Sequence, residues 1–390
     1  MASSAHAVPA MRSHSSPPRV IYLVTEDWYF ISHRLPMARA ARDAGFDVHV
    51  ATHVDRHGAA IAAEGFTLHP LAWRRGSLNP RDLVSLIRSV RKLYRSLTPD
   101  LAHHVSVEAS VVGSLAATGM PIACVNAITG LGGTFLGRSM KARLARWPLK
   151  TTLRWLLRRP TSTVLVQNPD DRATIASLGV DASRIVLIPG SGVDIDAMSP
   201  LPEPAGAVSI AFVGRLLEYK GIRTLVAAHE LLGRRGHDIR LLIAGVPDAT
   251  NRGSVTADEI AAWTRRANIV HLGFVDDIRT VWASAHIAAL PSRGGEGVPL
   301  SLIEAAACGR ALVATDTAGC REIVRNGVNG LLVPPDDAQA LADAIDRLAN
   351  DPDLRRKFGQ ASRALVEREF SNARVGRDLV SLYRRILPVA

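Results

Sequence analysis

Short apolar runs along this chain are separated by longer stretches with helical spacing, and the pattern occurs twice. In the first half the runs fall at residues 20–24, 47–51, 101–103, 121–125, 164–166 and 185–188, with helical stretches at 35–44, 80–97 and 108–118 between them. In the second half the runs fall at 210–213, 241–244, 269–272, 287–290 and 311–314, with helical stretches over 222–234 and 373–386. Strands that alternate with helices predict parallel sheets covered on both faces, the doubly wound α/β class, here as two Rossmann-like domains. Residues 189–206 hold prolines and glycines without periodicity and read as the linker. The expected division is a leader over 1–18, a first domain over 19–195, a second over 207–370 and a terminal helix within 371–390.

Composition narrows the class. A chain of 390 residues with 47% hydrophobic content has enough apolar side chain for two cores. Residues 1–18 are rich in Ser, Ala, His and Pro without an apolar core, so they read as a disordered leader, with Met11 an alternative start. No stretch supplies the ~18 uninterrupted apolar residues of a spanning helix. Cys124, Cys308 and Cys320 form an odd set without metal-ligand spacing, which argues against a disulfide scaffold or zinc site and for a reducing cytoplasm.

The candidate chemistry lies in the second half. Glu296 and Glu304 stand eight positions apart, the first in a glycine-rich loop after an apolar strand, the second in a helix that Pro299 helps to start. Amides at a helix start attract phosphate, whereas carboxylates bond hydroxyl donors, and a nucleoside-diphosphate sugar offers both groups. Glu304 lies among Leu302, Ile303, Ala305 and Ala306, an apolar setting in which a carboxylate needs a partner. Upstream, Gly214 ends the 210–213 strand, and Arg215 and Lys220 follow where open α/β sheets bind ligands. A guanidinium fork and a compact ammonium both suit diphosphate oxygens. No G-x-G-x-x-G follows the first strand, so a dinucleotide site is not expected.

Val213-Gly214-Arg215-Leu216 with Lys220-Gly221, and Glu296-Gly297-Val298-Pro299-Leu300-Ser301-Leu302-Ile303-Glu304, resemble the nucleotide-sugar site of the retaining family 4 glycosyltransferases, which have the GT-B fold. The resemblance covers nearly the whole chain after residue 18. Trp28 to Pro36, Gly76 to Pro80, Thr129 to Gly132 and Asp316 to Cys320 are similar to the branch that extends sugars on polyprenyl-diphosphate carriers for bacterial surface polysaccharides or protein glycosylation. The resemblance implies a retaining, metal-independent transfer of a hexose-type sugar, from a donor expected to be UDP-linked, with no further cofactor.

It also implies roles. Arg215 and Lys220 would hold the diphosphate, Glu304 the ribose and Glu296 a hydroxyl of the transferred sugar, with Gly214 at the strand end and amides of Gly297, Val298 and Leu300 in support. Arg215, Lys220 and Glu296 are the candidate catalytic residues. The terminal helix would pack back on the first domain. Acceptor-side candidates are Arg34, assigned to the acceptor diphosphate, with His103, His104, Thr129, Gly130 and Gly132; His33 precedes Arg34. Many family members have a histidine where this chain has Thr129, so that histidine's role does not transfer.

A net charge of +11 calls for an anionic partner. From Arg138 to Arg159 there are eight cations and no acid. Leu149, Leu153, Leu156 and Leu157 share a helical face beside Arg146, Lys150, Arg154 and Arg158, with Trp147 and Trp155 nearby, a pattern that suits an anionic membrane surface. The competing reading makes those leucines a docking face on the first domain. Arg74, Arg75, Arg81, Arg88, Arg91, Lys92 and Arg95 form a second basic region. No nucleic-acid motif accompanies this charge, so the expected place is the cytoplasm, attached peripherally to the inner face of the cell membrane. A nucleotide-sugar epimerase of the same architecture and a non-catalytic basic membrane-binding protein are the alternatives.

Overall fold

The computed structural model describes residues 17–387 except 78, 131–139, 249, 250, 252 and 267, and of 140–148 the backbone alone. Gly132, the side chains of Arg146 and Trp147, and residues 1–16 of the expected leader therefore lie outside the described residues.

Two parallel sheets carry the fold. The first contains β1 (Arg19–Glu26), β2 (Asp47–His53), β3 (Thr67–Pro70), β4 (Leu101–Val105), β5 (Ala123–Ile128), β6 (Ser162–Val166) and β7 (Ile185–Leu187), in the order β3-β2-β1-β4-β5-β6-β7. The second contains β8 (Ser209–Val213), β9 (Arg240–Ala244), β10 (Ile269–Gly273), β11 (Ile287–Leu290), β12 (Ala311–Thr315) and β13 (Gly330–Val333), in the order β10-β9-β8-β11-β12-β13. The doubly wound class expected from the alternation is the one observed. The order reverses between β1 and β4 and between β8 and β11, so each sheet opens a crevice at those carboxyl ends. Sequence reading passed over β3 and β13, both four-residue edge strands.

Burial follows the strand period of two. Val20, Tyr22 and Val24 pack into one first-domain core and Ile21 and Leu23 into the other, all fully buried, as a sheet covered on both faces requires. The helix Asn372–Ile386 completes the first of these cores through Val375, Leu379, Leu382 and Tyr383. The chain thus crosses between the domains twice. The crossings bond to each other, with the Val193 N–H donating to Phe370 O (2.9 Å) and the Asn372 N–H to Val193 O (2.9 Å).

The helix Met140–Leu157 corrects one expectation. Leu153, Leu156 and Leu157 are fully buried, and Leu153 and Leu157 pack with Ile128, Val164, Val166 and Ile175 in a core of their own. The leucine face covers the sheet, as most amphipathic helix faces do, so Leu153 does not face a bilayer. Lys150, Arg154, Trp155 and Arg158 remain exposed, and the Arg159 guanidinium lies 3.8 Å from the centre of the Trp155 ring. Among the described residues, no helix is long and apolar enough to cross a membrane.

Leu153→Ala is expected to cost about 2–5 kcal/mol of stability in urea denaturation, the range for a buried leucine that leaves a cavity. An unchanged midpoint and slope would place Leu153 outside the core.

Candidate functional site

The site is assembled where β8 and β11 end beside each other, at the switch point of the second sheet. Gly214 closes β8, and its N–H donates to Ala244 O (3.0 Å). Arg215 then turns toward the loop after β9, donating to Asp248 Oδ2 (2.9 Å) and to the Tyr219 hydroxyl (3.1 Å). A 3-10 turn over Glu218–Lys220 brings Lys220 Nζ to 2.6 Å from Glu296 Oε2, in a pair whose side chains are 15% and 13% exposed. The other Glu296 oxygen accepts from Ser292 Oγ at 3.2 Å. The loop is laced to the turn a second time, because Tyr219 O accepts from the Arg293 N–H (2.7 Å) and from Ser292 Oγ (3.2 Å).

Electrostatics separates the two glutamates. Burial disfavours the Lys220 ammonium, but the charge of Glu296, with Tyr219 and the direct hydrogen bond, outweighs it and lifts the lysine above its usual range. Glu304 has no such neighbour. It sits in the helix Leu300–Ala307 between buried Ile303 and Ala305, its carboxyl has no hydrogen-bond or ion-pair partner among the described residues, and burial pushes its pKa up to about 8. A carboxyl that is only partly exposed and unpaired is available to hydroxyl donors.

The loop that carries Glu296 is squeezed between the domains. A Cβ on Gly297 would stand 1.7 Å from Gln167 Oε1 and 3.1 Å from Thr129 O, both first-domain atoms, and a Cβ on Gly319 would stand 1.4 Å from Gly297 O. From the other side, a Cβ on Gly130 would lie 2.5 Å from Gly295 O. At 130 and 319, where the facing atoms are backbone, only glycine permits this approach. The Val298 N–H, expected to face the donor, instead donates to Gln167 Oε1 at 3.2 Å, and Leu300 opens the helix one position after Pro299.

On the first-domain side, Thr129 and Gly130 reach this loop, and Thr129 Oγ1 accepts from the Tyr29 hydroxyl at 3.3 Å. Arg34, His103 and His104 do not reach the cleft: all three are fully buried. His103 and His104 are neighbours on β4, so they point to opposite faces of a sheet that is covered on both. His104 bonds Asn126 Oδ1 (2.8 Å) and the Tyr94 hydroxyl (3.1 Å) and is a satisfied core histidine. His103 stacks on Tyr22 and bonds the Tyr383 hydroxyl (2.5 Å), leaving Nε2 without a partner. Arg34 reaches Met37 Sδ (3.2 Å), while its Nε and Nη2 find no acceptor among the described residues. As placed, Arg34 cannot touch an acceptor diphosphate, because the α1 and α2 segments Asp27–His33 and Leu35–Asp43 bury it at their junction.

His33, the residue before Arg34, is only partly buried. Its ring lies flat on Tyr29 with centroids 4.2 Å apart, and Nδ1 is 2.6 Å from Ser32 Oγ. Burial, then the charges of Arg34, Lys220 and Arg215, lower its pKa to about 3, so the imidazole is neutral and within the field of the donor-side cations. Sequence reasoning did not name Asp248, Tyr219 or Gln167, and gave Tyr29 no role beyond its place in the Trp28 to Pro36 motif. Asp248 and Gln167 meet partners far away in the chain, and no local motif marks them.

Residues 19–168 match the family model described as glycosyl transferase 4-like, and residues 207–351 the model described as glycosyl transferases group 1. EpsD of Bacillus subtilis, which carries a glycosyltransferase description, is 27% identical over 379 residues, 94% of this chain and 96% of that protein. The N,N'-diacetylbacillosaminyl-diphospho-undecaprenol alpha-1,3-N-acetylgalactosaminyltransferase of Campylobacter jejuni is 22% identical, with 92% of this chain and 98% of that protein covered. Among solved structures, Anabaena Alr3699/HepE in complex with UDP and glucose superimposes with a TM-score of 0.76 at 18% identity, covering 95% of this chain and 99% of that one.

Glu304 gives the site a pH signature. Its folded pKa of about 8 exceeds the ordinary 4.5, so its contribution to stability is complete below 4.5 and is lost as pH rises toward 8. Glu304→Gln should therefore gain stability relative to the native chain between those values and hold a constant gap above them, as read by denaturation at a series of pH values. A gap that does not change with pH would show Glu304 to be solvated.

With two facing Rossmann-like domains in the GT-B arrangement, the chain is built from a glycosyl transferase 4-like domain followed by a glycosyl transferases group 1 domain, the paired domains of a glycosyltransferase.

Proposed function

We propose that this chain transfers a hexose-type sugar from a UDP donor, with retention, to a sugar on a polyprenyl-diphosphate carrier in bacterial glycan assembly. The observation that carries the reading is the meeting of Arg215, Lys220 and Glu296 at the β8–β11 switch point, with Glu304 unpaired in the adjoining helix. Support for the donor comes from the HepE complex with UDP and glucose, and for the acceptor from the undecaprenyl-diphosphate substrate in the Campylobacter enzyme's name.

In the transfer, the bond from the anomeric carbon to the diphosphate breaks and a bond to the acceptor oxygen forms on the same face. The acceptor proton passes to the departing phosphate oxygen, so no protein nucleophile is needed. Negative charge grows on the leaving nucleotide, and Arg215 and Lys220 are held in advance where that charge appears. These cations take the neutralising role without a metal. Lys220 turns from Glu296 toward the diphosphate, which frees Glu296 for a sugar hydroxyl, while Glu304 takes the ribose. His33, kept neutral, and Thr129 are placed to orient the acceptor.

The carrier lies in a membrane, and we place the chain at its inner face as a peripheral protein. Exposed Lys150, Arg154, Trp155 and Arg158 on one helix, and exposed Arg81, Arg88, Lys92 and Arg95 with Leu83 and Val84 on the helix Pro80–Leu97, offer cations and apolar contact to anionic lipid.

Replacing Arg215 or Lys220 by Ala should lower turnover by ~10- to 1000-fold, measured as UDP release across a panel of UDP-sugars at a temperature where the variant is still folded, and Lys220→Ala should also lower the melting temperature because it leaves Glu296 unpaired. Near-native turnover in both variants would remove the assignment. The purified protein is expected to float with anionic liposomes and not with neutral ones. If it stays at the bottom of the gradient with both, peripheral attachment is withdrawn.

A further inference from the structure

Gln167 is the first residue after β6, and it is 3% exposed although it stands at the carboxyl edge of the first sheet, facing the other domain. Its Oε1 accepts the Val298 N–H from a loop 131 positions away in sequence. The donor fixes the orientation of the amide, because only the oxygen can face an N–H. Val298 is itself buried, so without Gln167 that N–H would be left without an acceptor.

Glu296 lies two residues before Val298, between the two places where the first domain touches its loop: Gly130 against Gly295 O, and Gln167 against Gly297 and the Val298 N–H. Lys220 and Ser292, which hold the Glu296 carboxylate, both belong to the second domain. The second domain therefore holds the side chain of Glu296, and the first domain holds the backbone that carries it. The backbone contact exists only while the domains are together.

We infer that Gln167 is a positioning residue that makes the sugar-facing placement of Glu296 conditional on closure of the two domains. The inference rests on the nucleotide-sugar reading of the site. It separates two properties that a purely structural residue would move together. The groups assigned to the diphosphate and ribose, Arg215, Lys220 and Glu304, do not touch Gln167, so nucleotide binding does not need it. Transfer does, because the sugar is engaged only when the loop is pinned.

The test uses the full chain and the variants Gln167→Leu, which removes the acceptor oxygen, and Gln167→Glu, which retains one. UDP affinity by calorimetry should stay within about threefold in both. UDP release from whichever UDP-sugar the native chain turns over should fall by about 10- to 100-fold in Gln167→Leu, on the scale of a lost buried hydrogen bond. Backbone hydrogen exchange in residues 294–300 should speed up in Gln167→Leu alone and be restored in Gln167→Glu. Native turnover in Gln167→Leu, or a loss of UDP affinity in step with its loss of turnover, overturns the positioning role, as does unchanged exchange in that segment. If the native chain binds no UDP, the underlying reading fails and takes this inference with it; if it binds UDP and Gln167→Leu matches it throughout, the inference alone falls.

Discussion

Backbone-to-backbone contact at the domain boundary is the constraint on which the site depends. The segment holding Glu296 passes between Gly319 on one side and Thr129, Gly130 and Gln167 on the other, at backbone separations that leave no room for a β-carbon at 130 or 319. Side chains can move aside when crowded, but a main-chain carbonyl or amide moves only with its whole segment. The loop is therefore located by the frames of both domains at once. Because β5 and β6 end on one side of this boundary and β11 on the other, the register of two separate sheets sets where a single carboxylate lies.

Charge is distributed on the same plan. Lys220 and Glu296 neutralise each other and Arg215 is held by Asp248, so each cation assigned to the donor already has an anionic partner. A partly buried ion pair with a satisfied geometry costs less than either ion alone, which lets the chain keep both cations in place before any ligand arrives. Asp248 also lies 3.9 Å from Arg75 of the first domain, and Arg321 lies 3.1 Å from Asp170, so ion pairs cross the boundary as well as hydrogen bonds. Glu304 is the exception. With no cation nearby it holds its proton to about pH 8, a chemical state unlike that of a surface glutamate.

The first domain shows how burial on both faces limits sequence inference. His103 and His104 are acceptor-side candidates from the sequence, yet neither reaches the cleft. In a strand covered on both faces, successive side chains enter one core or the other, and these two meet Tyr383 and Tyr94 respectively. Arg34 follows the same logic at a helix junction, while the adjacent His33 stays partly exposed within the field of Lys220 and Arg215. The leucines of the basic helix were ambiguous for a related reason, since the same spacing serves a bilayer and a core. The sheet beneath them resolved it, with Val164 and Val166 supplying the apolar partner.

Local pattern was enough to determine the alternation of strands and helices and the two doubly wound sheets, and to single out Arg215, Lys220, Glu296 and Glu304 as candidates, because strand ends, glycine turns and helix starts are written in consecutive residues. The edge strands β3 and β13 escaped it, since Thr67-Leu68-His69-Pro70 is polar and little buried and Gly330 shortens the apolar run of the other. Which residues face the cleft was decided only by tertiary structure. Gln167 meets Val298, Asp248 meets Arg215 and Tyr29 meets Thr129 across gaps of chain that carry no shared motif. Such pairings depend on how two finished sheets sit against each other, and that relation is a property of the packed whole.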